Sequence, residues 1–316
     1  MRMSHRLPIW VLIVTLASLA PATRLSIAEP QTGSSDPQQI DSRGKPPTDE
    51  EIRTRAERFV ANQHRDDDAL EQYERVEHHV DRTAGPNPRT IEDKVYRIVP
   101  TGAGTAKIVL RDGNQPVDAA SYDREMESLR DMLQMMSNPN DTRAKAAFAK
   151  RAKRERDRAD FVDAAKTAFT IKWLGTASVH GKTCDVFELD PDPSFHPHGI
   201  LQDALAHVMA KVWVDQQSNQ LARGEAHVMS DISFGGGILG KLYRGGVVSM
   251  EQAEVAPGIW LPTHVQYDYA GRKFLFSFEQ HQMIDASHYR RVGPPGEALQ
   301  IVQNELANGK PYIVDP

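Results

Sequence analysis

From Phe169 to about residue 286 the chain offers almost nothing but strand-like segments. Runs rich in Val, Ile, Thr, Tyr, Phe and Trp alternate with turn residues. Their spacing predicts strands at about 168–178, 182–190, 208–215, 220–230, 243–255, 260–270 and 273–286. The turns between them include Asp190-Pro191-Asp192-Pro193, Ser218-Asn219 and Ala270-Gly271. Such a succession of strands implies a large antiparallel meander with one face buried. Phe274, Phe276 and Phe278 alternate, which places three rings on one face of a single strand.

The first half is mixed. Thr48 followed by Glu51 reads as a capping box that opens a helix, with Ile52, Ala56, Phe59 and Val60 on one stripe. Leu70, Tyr73, Val76 and Val80 fit a helix face. The clusters Val76–Val80 and Val95–Val99 fit better as two strands around Gly85-Pro86-Asn87-Pro88. A third strand at Lys107–Leu110 is stopped by Asp112-Gly113. Tyr122, Met126, Leu129, Leu133 and Met136 then recur at helical spacing, so residues 118–137 form an amphipathic helix. Asn138-Pro139-Asn140 breaks it. A second helix over 141–164 carries Ala144, Ala147, Phe148 and Ala152 on one side. Between Arg143 and Arg158 it holds eight basic residues against Glu155 and Asp157. Pro294-Pro295-Gly296 leads to a short terminal helix and a tail.

Residues 1–28 read as a cleaved export signal. Arg2 and Arg6 precede an apolar run from Leu7 to Ala22, and small residues stand at Ala20-Pro21-Ala22 and Ser26-Ile27-Ala28. Residues 29–47 are rich in Pro, Gln, Ser, Asp and Gly and read as a disordered linker. The expected organisation is therefore a signal at 1–28, a linker at 29–47, one domain at 48–290 with a helical insertion at 118–164, and a tail at 291–316. The expected compartment is the periplasm or the exterior. No cysteine follows the cleavage site, so a lipid anchor is not expected; Cys184 is the only one. One cysteine also excludes an intramolecular disulfide, a CxxC pair and a multi-cysteine zinc site. Loss of the signal removes Arg2, Arg6 and Arg24 and no acid, so the net charge of −5 becomes −8. That balance argues against a nucleic-acid partner.

Several apparent motifs fail on chemistry. Gly235, Gly237 and Gly240 satisfy GxGxxG, and Gly235, Gly240 and Lys241 satisfy GxxxxGK. Phosphate binding needs those glycines between a strand and a helix N-terminus, and a P-loop needs Ser or Thr where Leu242 stands. The segment reads instead as an apolar loop between strands, able to touch a partner or a membrane. His196, His198 and His207, or His78 and His79, offer ligand atoms without metal spacing, and neighbouring histidines on a strand face opposite ways. Cys184 sits in a strand as a small core residue. There is no GxSxG elbow. No catalytic residue, cofactor or metal is expected. Met126, Met132, Met135 and Met136 give either core packing or an adaptable apolar surface. The basic helix 143–158 is either a solvated face or a surface for anionic lipid or an acidic partner.

Three segments carry a family resemblance. Lys211-Val212-Trp213-Val214-Asp215 followed by Leu221-Ala222-Arg223-Gly224-Glu225 resembles a hairpin of the outer-membrane lipoprotein-sorting (LolA/LolB-like) superfamily. Gly258-Ile259-Trp260-Leu261-Pro262-Thr263 resembles its later hairpin. The stretch Val109–Pro116 resembles a segment of a larger, uncharacterised exported bacterial branch. The resemblance spans roughly residues 70–290. It implies a mainly-β α+β fold, a strongly curved antiparallel half-barrel with helices packed on or across its concave face. It also implies a non-catalytic envelope protein that holds a lipid or lipidated partner in an apolar hollow. Parity and bulk nominate Trp213, Trp260, Phe274, Phe276, Phe278, Met126 and Met136 as lining residues. The alternatives are a structural or adaptor module with a filled core, and a hydrolase of unrecognised type.

Overall fold

The computed structural model describes residues 39–234 and 239–309. The expected signal, the glycine segment 235–238 and the end of the expected tail lie outside them. The chain opens with helix α1 (Asp49–Leu70) and strands β1 (Tyr73–Arg82), β2 (Thr90–Pro100), β3 (Thr105–Asp112) and β4 (Gln115–Pro116). Helices α2 (Ala119–Met136) and α3 (Thr142–Ala168) follow, then β5 (Phe169–Val179) and β6 (Lys182–Pro191). A short helix α4 (Ile200–Asp203) and a 3₁₀ turn (Ala204–His207) lead to β7 (Val208–Asp215) and β8 (Leu221–Val228). The last elements are β9 (Ile232–Phe234), β10 (Gly240–Leu242), β11 (Val247–Ala256), β12 (Ile259–Lys273), β13 (Phe276–Arg291) and α5 (Pro295–Asn308).

All the strands join one 13-stranded sheet in the order β4-β3-β2-β1-β13-β12-β11-β8-β7-β6-β5, with β10 and β9 added beside β12. Every pairing is antiparallel. The sheet stays open, ending at β4 and β5, and helices cover it: the mainly-β, open half-barrel class expected from the sequence. The first strand hydrogen-bonds to the last, so the N- and C-terminal parts of the chain meet in the middle of the sheet.

Residues paired directly across strands share a face. One row runs Val186, Trp213, Arg223, Glu251, His264, Asp285, His78, Val95 and Arg111 over nine strands. The neighbouring row, Phe187, Val212, Gly224, Met250, Val265, Ile284 and His79, faces the other way. We call the His79 side inner and the His78 side outer. Helix α1 crosses the inner side, where it meets Asp185 and Gln252. Helices α2 and α5 cover the outer side of β1–β3. There Tyr122, Met126, Leu129 and Leu133 of α2 pack with Val99, Ala106, Ile108, Val292, Ala298 and Val302.

Several expectations are corrected. The capping box at Thr48 and Glu51 forms as read. The short terminal helix read after Pro294-Pro295-Gly296 forms at Pro295–Asn308 with proline in its first turn, and its Ala298 and Val302 lie in the core. Residues 40 and 41, assigned to a linker, are held against the edge of the sheet. Asp41 bridges Thr176 at the β5 edge, and Ile40 packs beside the cluster around Cys184 and Trp213. Gly175 permits this approach, because a Cβ there would lie 2.5 Å from the Asp41 carbonyl oxygen and its φ is 141°. The turn read at Ala270-Gly271 is in fact at Phe274-Leu275, where Phe274 adopts φ 52°. Gly271 lies inside β12, paired with Leu242 and Phe278, and must be glycine because a Cβ there would lie 2.5 Å from the Lys241 carbonyl and 2.7 Å from the Phe278 ring. Phe274 therefore does not share a strand face with Phe276 and Phe278.

Candidate functional site: the inner face beneath α1

Helix α1 is a polar helix on a mixed floor. Its only fully buried residues are Gln63 and Asp66, while Ile52, Phe59 and Val60 are half-covered. It is held by a series of polar contacts. Arg55 pairs with Asp185, whose other oxygen accepts from Trp173 Nε1 at 2.9 Å and Gln216 Nε2 at 3.0 Å. Asn62 Nδ2 donates to the carbonyls of Ser218 and Asn219 at 2.9 and 3.1 Å. Gln63 Nε2 donates to Gln252 Oε1 at 3.3 Å, and Arg65 donates to the Gly258 carbonyl at 2.6 Å. Near the end of the helix Asp67 pairs with Arg158 of α3. Burial pushes the Asp66 carboxyl above its ordinary value, against the pull of the Trp260 amide and of Arg65.

The floor has two parts. Phe187, Val214, Leu221, Met250 and Ile284 are buried apolar residues on or beside the inner row. Toward β1 the floor becomes ionic. Arg75 binds Glu77 Oε1 through Nε at 2.8 Å and through its terminal nitrogen at 2.7 Å, and His79 Nε2 lies 2.6 Å from Glu77 Oε2. Burial alone would raise the Glu77 carboxyl, but the charges of Arg75 and His79 and the His79 hydrogen bond hold it well below the usual range. Tyr289 closes this cluster; burial pushes its phenol up, and its hydroxyl donates to the Pro262 carbonyl. Glu71, just past the end of α1, is raised by burial despite Arg151.

The residues nominated from the sequence fall in four places. Trp213 and Trp260 come together in a buried cluster with Cys184, Val186 and Ala222, each under a cation: Arg223 at 5.3 Å and Lys182 at 4.8 Å from the ring centres. Register places Trp213 on the outer side, away from α1. Met126 lies under α2 in the β2–β3 core, and Met136 packs separately with Ala103 and Ala144. Phe274 and Phe276 are exposed at the β12–β13 turn, while Phe278 sits half-buried against Tyr269. The structure brings the two tryptophans together and does not gather the seven around one hollow. Arg75 and Glu77, which gather beside His79, are not among the residues nominated from the sequence. Their i, i+2 spacing on β1 was legible as one face, but charged residues at that spacing ordinarily face water.

The other candidates are also located. His78 and His79 do face opposite ways, toward Asp93 at 2.8 Å and toward Glu77. His196 and His198 line an open cleft of about 660 Å³ with Asp160, Asp163, Thr167, Ser194 and Gln202. His207 is bound to Ser230 instead, Nδ1 to Oγ at 2.6 Å. Among the described residues, no three His, Cys, Asp or Glu side chains converge as a metal site. The Cys184 thiol is pushed up to about 12 by burial, with Asp215 adding to the rise, which makes it a poor nucleophile. In the basic helix α3, Arg151 and Arg154 turn inward to the carbonyls of Gly102 and Ala103 at 2.6 and 3.0 Å, and Arg158 pairs with Asp67. No helix among the described residues is long and apolar enough to cross a membrane.

No protein-family model matches the sequence, and no curated protein matches it. Solved structures similar to this chain include a putative outer membrane lipoprotein-sorting protein domain from Vibrio parahaemolyticus. It is 9% identical, with 78% of this chain and 99% of that one covered at a TM-score of 0.31. A LolA superfamily protein from Nitrosomonas europaea is 12% identical, with 78% and 96% covered at 0.30. A DUF1329 family protein from Desulfovibrio piger is 12% identical, with 76% and 92% covered at 0.27. The chain is thus similar to solved members of the outer-membrane lipoprotein-sorting superfamily, the group its strand motifs resemble.

Proposed function

We propose that this chain is an exported, non-catalytic envelope protein that takes a lipid or lipidated partner between α1 and the inner face of the sheet. The observation that carries this reading is the way α1 is held. Its underside contributes Gln63 and Asp66 to the interior, and its attachments are hydrogen bonds and ion pairs. Each such link contributes about 1 kcal/mol net. Burying acyl carbon stabilises by about 0.8 kcal/mol per CH₂. A chain of six or seven methylenes on Phe187, Leu221, Met250 and Ile284 therefore offsets roughly five polar links, estimated from those same two magnitudes. The Arg75–Glu77–His79 cluster at the end of that floor suits the polar head of an amphiphile. The resemblance in the Lys211–Glu225 and Gly258–Thr263 hairpins agrees with this reading, as does the apolar run at the N-terminus of the sequence.

The test is to tether α1. Asn62→Cys and Ser218→Cys place thiols on α1 and on the β7–β8 turn, while Cys184 stays buried. A short thiol cross-linker between them is expected to abolish uptake of parinaric acid, a fluorescent fatty acid, that the uncrosslinked protein shows. Equal uptake with and without the tether rejects the site, and no uptake by either form rejects the function. The second reading, an adaptor with a filled core, is favoured by the buried ionic cluster of β1. It predicts no lipid in native mass spectra of protein taken from its own envelope.

A further inference from the structure

Strands β12 and β13 are 15 and 16 residues long and outrun their neighbours. Pairing of β11 with β12 stops at Asp268, and pairing of β1 with β13 stops at Gln282. Beyond these points residues 269–280 form a ribbon whose base packs through Tyr269 on the Val228–Leu242 cluster, and β10 pairs with it at Gly271–Lys273. Six residues from Asp268 to Phe274 carry the turn about 20 Å past the end of the β11–β12 pairing, at about 3.3 Å per residue, with the short β10 and β9 beside them. The ribbon is stiffened from within. Tyr267, Tyr269 and Phe278 stack edge to face, Tyr269 donates to Gln280 at 2.7 Å, and the Phe278 ring lies close over Gly271.

Its tip is apolar and exposed. Leu275 is 87% exposed and Phe276 63%, and Phe274 projects from a left-handed turn. Leu239 lies alongside, its carbonyl accepting from the Phe274 amide at 3.2 Å, and is itself half-exposed. Directly behind this tip stand Arg272 and Lys273, with Lys241 paired in register to Arg272. Asp231 binds Lys241 at 2.7 Å. The nearest acid on the ribbon itself is Glu279, further from the tip than either base.

We infer that this ribbon is a membrane-docking finger whose tip enters the interface of an anionic lipid leaflet. Three or four large apolar side chains at the end of a stiff projection bury only a few hundred Å², far below the roughly 1,000 Å² that a specific protein interface needs. A lipid surface demands no shape complement; it takes apolar side chains below the headgroups and cations among them. Each base beside an anionic leaflet adds to the attraction, and salt screens it. The finger is separate from the floor beneath α1, so this inference does not rest on the lipid-uptake reading.

The test is flotation of the full protein with vesicles of phosphatidylcholine alone, or of phosphatidylcholine mixed with phosphatidylglycerol. Binding is expected on the mixed vesicles, weakened by salt. Leu275→Ser with Phe276→Ser is expected to weaken it about tenfold or more, since each side chain forfeits the burial of a large apolar group. Arg272→Gln with Lys273→Gln is expected to weaken it roughly tenfold on mixed vesicles. Circular dichroism and melting temperature are expected to be unchanged for Leu275→Ser with Phe276→Ser, whose side chains are exposed. Protein with α1 tethered still floats, which separates this result from any failure of lipid uptake. No flotation, flotation equal on both vesicles, or flotation indifferent to Leu275 and Phe276 overturns the inference. So does self-association in solution that disappears with the tip substitutions while vesicles bind nothing.

Discussion

Helices α1 and α2 both lie across the same sheet, one on each side, and they are held by opposite means. Helix α2 buries Tyr122, Met126, Leu129, Leu133 and Met136. Helix α1, four residues longer, buries Gln63 and Asp66. The α2 side is reinforced by a buried ion group. Arg97 pairs with Glu74 at 2.8 Å and with Glu305 of α5 at 2.8 Å, and touches the Tyr122 hydroxyl at 3.2 Å. Burial alone would lower the Arg97 guanidinium; Glu74 and Glu305 outweigh it and raise it. The difference teaches which side is scaffold and which side is free to respond. Dry packing with a satisfied charge resists opening, whereas polar contacts exchange with water at small net cost.

The largest expected effect comes from the α2 side. Arg97→Ala leaves buried Glu74 with Arg290 as its remaining ion-pair partner and should cost up to about 3–5 kcal/mol in urea unfolding. Retention of wild-type stability would show that this ion group is not structural. Leu129→Ala, at a position with no exposed surface, should cost about 2–5 kcal/mol by the same measurement. On the α1 side, Asn62→Ala with Gln63→Ala should cost only about 1–2 kcal/mol. Hydrogen exchange in that variant should speed up in α1 while α2 stays protected. Uniform loss of protection in both helices would erase the contrast. The smallest effect belongs to Asp66. Its folded value is raised, so folding favours the protonated form. Stability from this group is full below the ordinary carboxylate value and falls as pH climbs through the raised one. Asp66→Asn should therefore melt slightly higher than wild type at neutral pH and lose that part of the pH dependence. A lower melting temperature at pH 7 would mean that the charged carboxylate holds α1 down.

Much of this contrast could be read from residue spacing. The α2 stripe at 122, 126, 129, 133 and 136 is an unbroken apolar face, and all five residues are buried. The meander was legible because β-branched runs and turn residues alternate, and most strands lie where the pattern puts them. What was not legible depends on approach between distant segments. Gly271 looks like a turn residue, but its role is to admit the Phe278 ring and the Lys241 carbonyl. Strands β9 and β10 have three residues each, too few to show a period. The charged face of β1 looks solvated until Tyr289 of β13 is brought against it from the far end of the sequence.

The pairing of β1 with β13 also sets an order of events. Tyr73 meets Arg291 and Asp81 meets Gln282, contacts that close only when nearly the whole chain is present. Until β13 arrives, β1 has β2 on one side and nothing on the other, and the floor beneath α1 lacks Ile284. Closure of so long a loop is slow, because its entropy is lost before the contacts that reward it can form. A chain synthesised only as far as β12 therefore leaves β1 as an open edge until β13 emerges to pair with it.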